Sequence, residues 1–547
     1  MATRRWLHAQ HARSVATSAS AYTAVRPSRG HRAVRWLTVG GAAGGALYAV
    51  DQQNSHVISR SARVVTTGTA VLIDYRRHLK PFDRQHPEYK AQLKAFNLRT
   101  AEKLLHLCFQ NGGIYTKLGQ QLATFNHALP REFTDTLAQL QDQAKPVPFS
   151  VIAQAIENEL GGSWQQHFQA FDHEPLAAAS LAQVHHAVDA QGREVAVKVQ
   201  YPHLQHQMRT DLVVVNAALA ATEYFFPNVQ VQWMFPEFQR ALKSELDFAN
   251  EKQNSRRIAN YLRRNHAVHV PEVYGELSTG KLLTMEFIRG PKISQVDEIR
   301  KLGLDPAAAA RVLCDVFGEM IFCHGFVHCD PHAGNLFVRR NPDPKAAVPE
   351  QIVLLDHGLY RQLDEDFRRT YCDLWRAMLL RDAPLLEECG RRLNAGPFAR
   401  FLPLLFTYRF VNAAATGSID AKMGTDERQQ LAAELRKLQF SDITDFLSQL
   451  PRDMLFVFRT NNMVRALNKD LGGSTRDRFS SMGKYAAQGH ASFYSSSSQH
   501  GGLGVRGTLV YWIDHANMLF HLRVIDWALG FVQWARGIPA PETHTVG

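Results

Sequence analysis

Cysteine is scarce in this chain: Cys108, Cys314, Cys323, Cys329, Cys372 and Cys389 are the whole complement among 547 residues, and no two form a CxxC pair. That excludes a disulfide-built scaffold, argues against a zinc ribbon and fits a reducing compartment. Acids are missing from the first fifty positions, the first carboxylate being Asp51. Internal repeats are missing too, which sets solenoids and propellers aside. At 45% hydrophobic and 21% charged residues, the chain is neither globally disordered, nor collagen-like, nor a polytopic membrane protein. Its length corresponds to two to four domains at roughly 150 residues each, enough to bury a sizeable core without covalent staples.

What is abundant is positive charge, +11 overall, and its position matters more than its size. Seven arginines (Arg4, Arg5, Arg13, Arg26, Arg29, Arg32 and Arg35) lie in residues 1–35 and supply +7 of it. The remainder holds 55 basic residues against 51 acidic, a net of +4. So mild a balance gives little support to a nucleic-acid surface, and no nucleic-acid partner is expected. Residues 1–35, rich in Arg, Ser and Ala and free of acids, have the composition of a mitochondrial targeting segment. The run Trp36–Val50 is apolar, with Gly40 and Gly44, and Gly41 and Gly45, at packing intervals. As a helix it reaches about 22 Å against about 30 Å of hydrocarbon, so it reads as a short span or anchor, with a Gly-rich linker as the other reading.

Residues 51–165 alternate helical periodicity with proline breaks and form a helical N-terminal extension. Residues 166–290 change character. Strand-like runs at 184–188, 195–199 and 282–288 surround helical stretches near 204–226 and 236–264. Residues 291–450 are mainly helical, with strand-like runs at 336–338 and 352–355. Residues 451–547 read as a helical C-terminal extension, interrupted by a Ser/Gly linker at 495–504 and closed by an amphipathic docking helix within 507–537.

The strongest chemical signal is His328-Cys-Asp-Pro-His-Ala-Gly-Asn335 followed by Leu354-Leu-Asp-His-Gly358. Phosphoryl transfer from a nucleotide needs a carboxylate at the nucleophile, and a second carboxylate with a neutral oxygen ligand to hold magnesium. Asp330 and Asn335 stand at the Asp-to-Asn interval of a kinase catalytic loop, and Asp356 ends an apolar strand where a kinase places its metal-binding Asp. Val195-Ala-Val-Lys198 matches the strand that presents a phosphate-pairing lysine, which needs an orienting carboxylate; Glu245, Asp247 and Glu251 are on offer. Met285, Glu286 and Ile288 lie in a run resembling the hinge that receives adenine. A zinc site built from Cys323, His324, His328, Cys329, His332 and His357 lacks the tight paired spacing of such sites. A serine or cysteine hydrolase has no GxSxG or Cys-His context.

The glycine-rich loop of ordinary kinases is absent, replaced by Ala177-Ala178-Ala179-Ser180, and Lys117-Leu-Gly-Gln120 stands well upstream. Together, KxGQ, the alanine loop, the Glu245-x-Asp247 pair, HxDxHxxN and DxG resemble the UbiB-like atypical kinases, also called aarF-domain-containing kinases, and look most like their mitochondrial kinase 1 branch. The resemblance covers roughly residues 95–365 closely. It implies an α+β, protein-kinase-like two-lobed fold: an N-lobe at 166–290, a C-lobe at 291–450, and helical extensions on both sides. It implies that Lys117 and Gln120 reach into the active site and meet Glu245 and Asp247. It further implies that Glu251 pairs with Lys198, that Asp330 is catalytic, and that Asn335 and Asp356 hold Mg2+ beside ATP. The family's associations imply an atypical kinase or ATPase at the mitochondrial inner membrane, with lipid, isoprenoid or inner-membrane protein partners and a link to coenzyme Q. A protein kinase acting on mitochondrial proteins, and a non-catalytic nucleotide-binding scaffold, are the competing readings. His357, standing where kinases carry Phe, is expected to weaken the lobe packing or to substitute a hydrogen bond.

Overall fold

A computed structural model describes residues 51, 56–82, 85–123, 129–141, 146–202, 204–226, 229, 231–232, 235–344, 346–380, 382–396, 402, 450–493, 505, 508–517 and 520. The expected targeting segment, the anchor at 36–50 and the linker at 495–504 lie outside these residues. Among the described residues no helix is long and apolar enough to cross a membrane. The chain divides into two units at Ser59/Arg60. In the first, Asp51 accepts backbone hydrogen bonds from Ile58 and Ser59 at 2.8 and 3.2 Å. All that follows concerns the second, α1 only from Arg60 onward.

Among the described residues, five α-helices precede the first strand: α1 (Val57–Asp74), α2 (Tyr89–Asn111), α3 (Gly113–Ala123), α4 (Arg131–Leu137) and α5 (Phe149–Leu160). An antiparallel sheet follows, from β1 (Phe168–Phe171), β2 (Ala177–Ala178), β3 (Ala182–Asp189), β4 (Glu194–Gln200) and, after an excursion, β6 (Leu282–Glu286), in the order β1-β3-β4-β6 with β2 on β3. The excursion holds α6 (Leu204–Phe225), α7 (Phe235–Glu245), α8 (Phe248–Tyr261) and β5 (Val268–His269). The expected single helix over 236–264 is two, because Asp247 takes extended backbone and caps α8, accepting from the Ala249 and Asn250 N–H groups.

Beyond the sheet lie α9 (Val296–Lys301), α10 (Pro306–Gly318), β7 (Phe326–His328), β8 (Leu336–Arg340), β9 (Glu350–Leu354), β10 (Tyr360–Gln362), α11 (Glu365–Leu380), α12 (Ala383–Arg392), α13 (Arg452–Asp470) and α14 (Thr475–Ser492). β8 and β9 run antiparallel, with β5 parallel to β9, and β7 pairs antiparallel with β10. An antiparallel sheet carrying a lysine, set before a mainly helical lobe with a loop between short strands, is the two-lobed α+β kinase-like arrangement.

Cores explain the layout. Ile152 and Ile156 of α5 join Phe168, Val195, Val197 and Val199 under the sheet. A second cluster joins Ile114, Leu137 and Leu140 to Leu212 and Leu242, tying the first helices to α6 and α7. The largest cluster contains Leu313, Phe317 and Trp375 together with Met454, Val457, Val464 and Met482. The helices α13 and α14, read from sequence as an extension from 451, therefore share the core of the helical lobe. Truncating any of these fully buried side chains to alanine costs about 3 kcal/mol, so the lobe without α13 and α14 would lose several such contributions.

Candidate active site

Strand periodicity aims the central lysine. Along β4, Val195, Val197 and Val199 are buried on one face, which puts Lys198 on the other, toward α8. Register sets Lys198 between Val184 of β3 and Leu283 of β6. Its Nζ donates to Glu251 Oε1 and Oε2 at 3.0 and 2.9 Å and to Asp356 Oδ2 at 3.2 Å. Burial by itself would favour the neutral amine, yet the Asp356 and Glu251 carboxylates outweigh it and hold Lys198 above its ordinary pKa. Glu251 is 1% exposed. Burial pushes it up to about 7, against the pull of Lys198. Glu245, Asp247 and Glu251 were open candidates for this partner on residue type, and the geometry selects Glu251.

The loop after β7 is folded by its own polar groups. His332 Nδ1 accepts from the Gly334 N–H at 3.1 Å, closing the turn Ala333–Asn335. Asn335 Nδ2 donates to the Asp330 carbonyl at 3.2 Å, and the Leu355 N–H donates to the Asn335 carbonyl at 2.8 Å. Asn335 and Asp356 thus flank the shared end of the β8–β9 ladder. Asp356 adopts the left-handed conformation, φ 54°, sparse for a residue with a Cβ. Its Oδ1 accepts from the Gly358 N–H at 3.1 Å, and a Cβ on Gly358 would stand only 3.2 Å from that oxygen. Burial would raise Asp356, but Lys198 and the Gly358 N–H outweigh it and keep the carboxyl well below its usual range.

The donor set suits magnesium. The amide orientation of Asn335 leaves Oδ1 as its acceptor, and Asp356 contributes an ionised carboxylate, so both donors are the oxygens a hard cation takes. They fit a site completed by phosphate oxygens and water. Among the described residues no group of three His, Cys, Asp or Glu side chains gathers as an all-protein metal site.

α3 brings Lys117 into this region, its Nζ 2.7 Å from Glu245 Oε1. Here burial is again outweighed, by Glu245 and Asp330, and Lys117 is held above its ordinary pKa. Gly119 is required by packing: a Cβ there would collide with the Leu140 side chain and sit 3.1 Å from Cys108 Sγ. Two expectations are corrected. Gln120 meets neither Glu245 nor Asp247; its amide donates to the Leu140 carbonyl at 2.9 Å, because its side chain points to the turn that packs against Gly119. Asp247 is exposed and spends its side chain on the α8 cap instead of on Lys117.

Arg459 was not anticipated. From α13, its Nη2 donates to Asp330 Oδ1 at 2.8 Å, with both side chains mostly buried. Burial would raise Asp330; Arg459 first and Lys117 second outweigh it and hold the carboxyl low. The available signal was an arginine at helical spacing from Leu455, Phe456 and Met463, a face on which a charge needs a partner.

The alanine segment is less of a loop than expected. Ala177 and Ala178 pair with Val184 and Gln183 as β2, and the Ala179 N–H donates to the Ala182 carbonyl at 2.8 Å, leaving Ala179 and Ser180 at a tight turn. In the hinge run, Met285 is buried with Phe248 and Leu283, and Ile288 is buried as well. Glu286 Oε2 is held by His269 Nε2 at 2.8 Å. His357 is 3% exposed, and its Nδ1 bonds the Tyr360 hydroxyl at 2.9 Å.

Comparison with known proteins bears on this site. The ABC1 atypical kinase-like domain matches residues 139–389. The chain is 37% identical over 448 residues to a Dictyostelium discoideum protein named probable serine/threonine-protein kinase abkD, covering 82% of this chain and 63% of that one. It is thus shorter in span than two thirds of that relative. It is 36% identical over 415 residues to AarF domain-containing protein kinase 1 of Xenopus tropicalis, covering 76% of this chain and 79% of the relative. Against the Mus musculus protein of the same name it is 36% identical over 440 residues, with 80% and 83% covered. With a kinase-like fold, the domain match and relatives aligned over most of their length, the chain belongs to the ABC1/AarF family of atypical kinases.

Proposed function

We propose that the protein binds ATP with magnesium and transfers or hydrolyses the terminal phosphate at a mitochondrial membrane, acting on a lipid or isoprenoid acceptor and supporting coenzyme Q or related membrane metabolism. The observation that carries this reading is Lys198 bridging Glu251 and Asp356, which assembles the phosphate-pairing lysine, its orienting carboxylate and the metal-facing carboxylate in one contact set. Asn335 Oδ1 and Asp356 would hold magnesium, which supplies neutralisation of the phosphate charge. Lys198 would hold the phosphates, and Asp330 would orient an attacking hydroxyl or water. With its pKa held low, Asp330 is a weak base and works chiefly by orientation. The strand Met285–Glu286 and the segment to Ile288 would border the adenine, and Ala177–Ser180 would cover the phosphates. Mitochondrial import rests on residues 1–35 and is tested by fusing them to a fluorescent protein.

The test is phosphate release from ATP and magnesium, with and without anionic vesicles. Wild type is expected to turn over, and Asp356→Asn to lose on the order of 100-fold or more. Equal rates would reject the enzyme reading. A second reading has its own support. Arg459 and Lys117 both face Asp330, which suits a nucleotide-binding scaffold whose catalytic carboxylate is permanently engaged. Rescue of deficient cells by an ATP-binding Asp330→Asn protein would favour that scaffold.

A further inference from the structure

From Arg60 onward the inward side of α1 mixes charge with apolar packing, Val64 lying on the core it shares with α3 and α6, while its exposed side keeps large apolar side chains. Its inward side carries charge: Arg60 pairs with Asp211 of α6 at 2.5 Å, and Asp74 binds Arg99 and Lys103 of α2 at 2.9 and 2.6 Å. Its outward side carries Val65 and Ile73, 65% and 45% exposed. An ordinary surface helix keeps such side chains on its buried face. The outward side of α6 repeats the pattern with Val213 at 69%, Tyr224 at 79% and Phe225 at 46%. Its acids are withdrawn, Asp211 into the Arg60 pair and Glu223 into hydrogen bonds from the Val231 and Gln232 N–H groups.

The helices run parallel, with Arg60–Asp211 near one end and a Tyr75–Phe226 ring contact, 4.8 Å between centroids, at the other. Both apolar rows run toward that second end. There α1 continues into Arg76, Arg77 and Lys80, all exposed. From Arg60 to Lys80 the sole acid is Asp74, which is buried.

We propose that the outward rows of α1 and α6, with this cationic end, seat on a bilayer surface bearing anionic headgroups. Exposed apolar side chains gain by entering the headgroup boundary, and adjacent cations gain from the lipid charge. A second copy of the chain fits less well, since it would bring the same cations and no exposed carboxylate from α1 to meet them. The inference rests on the membrane-apposed reading above and narrows it to one surface.

The test uses the full chain labelled with an environment-sensitive fluorophore at Val65→Cys or Tyr224→Cys, with Asp297→Cys on α9 as the control. The native cysteines are buried except Cys323, which is half-buried. Vesicles of phosphatidylcholine mixed with phosphatidylserine are expected to blue-shift both test labels but not the control, and phosphatidylcholine alone to do neither. Arg76→Gln/Arg77→Gln should weaken the vesicle titration roughly 25-fold, about fivefold per cation. If the protein floats with vesicles while both labels stay aqueous, this surface is wrong and the membrane reading survives. If it does not float, both fail. A shift that grows with protein concentration without vesicles replaces the bilayer with a second copy.

Discussion

Arg459 Nη2 lies 2.8 Å from Asp330 Oδ1, although the two residues are 129 positions apart. Asp330 is thereby held between a cation from α13 and the charge of Lys117 from α3, both outside the matched domain at 139–389. Two cations from outside the matched domain thus help to hold the Asp330 carboxyl below its ordinary range.

Replacing Arg459 with Gln keeps the bulk and removes the charge. Asp330 is left mostly buried with Lys117 as its remaining cation, and its pKa rises toward the ordinary value. Chemical denaturation at neutral pH should show a loss of about 3 kcal/mol. The acid limb of ATP hydrolysis should move to higher pH. An unmoved limb would mean that Arg459 does not govern Asp330.

Gly119→Ala introduces a Cβ that collides with Leu140. Overpacking of this kind costs about 2 kcal/mol. The double variant Gly119→Ala/Leu140→Ala should lose less than the sum of its single variants, since each relieves the other's defect. Strict additivity of the unfolding free energies would refute the collision as the cause.

Burial holds the His357 imidazole at about 3, against 6.5 for a free histidine. Between those values the unfolded chain binds the extra proton, so this group makes stability fall as pH drops through the window. His357→Phe removes that proton. Its denaturation free energy should decline less steeply below pH 6.5, by about 1.4 kcal/mol per unit, while changing by roughly 1 kcal/mol at pH 8 through the lost Tyr360 bond. Parallel wild-type and variant curves would contradict the assignment.

Asp247→Ala should cost about 1 kcal/mol through the lost α8 cap, and Asp247→Asn, which caps equally well, much less. Thermal melts separate the two. Equal losses would point to a role for the charge beyond the cap.

Much of this site is legible in the sequence. Valine alternation in β4 announces which way Lys198 points, and the Asp330–Asn335 and Asp356–Gly358 spacings are set by short turns that sequence dictates locally. Less legible was the choice among Glu245, Asp247 and Glu251. One continuous helix suggested itself across 236–264, and the break at Asp247 changes which carboxylate faces inward. The position of Gln120 is illegible for a related reason: its spacing from Lys117 says they share a helix, but not that the Leu140 carbonyl takes its amide.

The sequence by itself determined the strands and turns that carry the phosphate chemistry, because pleat, φ limits and capping act over a few residues. Tertiary structure decided the pairings: Lys198 with Glu251, Lys117 with Glu245, Arg459 with Asp330. It also decided that α1 buries Arg60 and Asp74 and leaves Val65 and Ile73 exposed. Such choices depend on how separate elements pack, and a buried charge finds its partner only where packing delivers one.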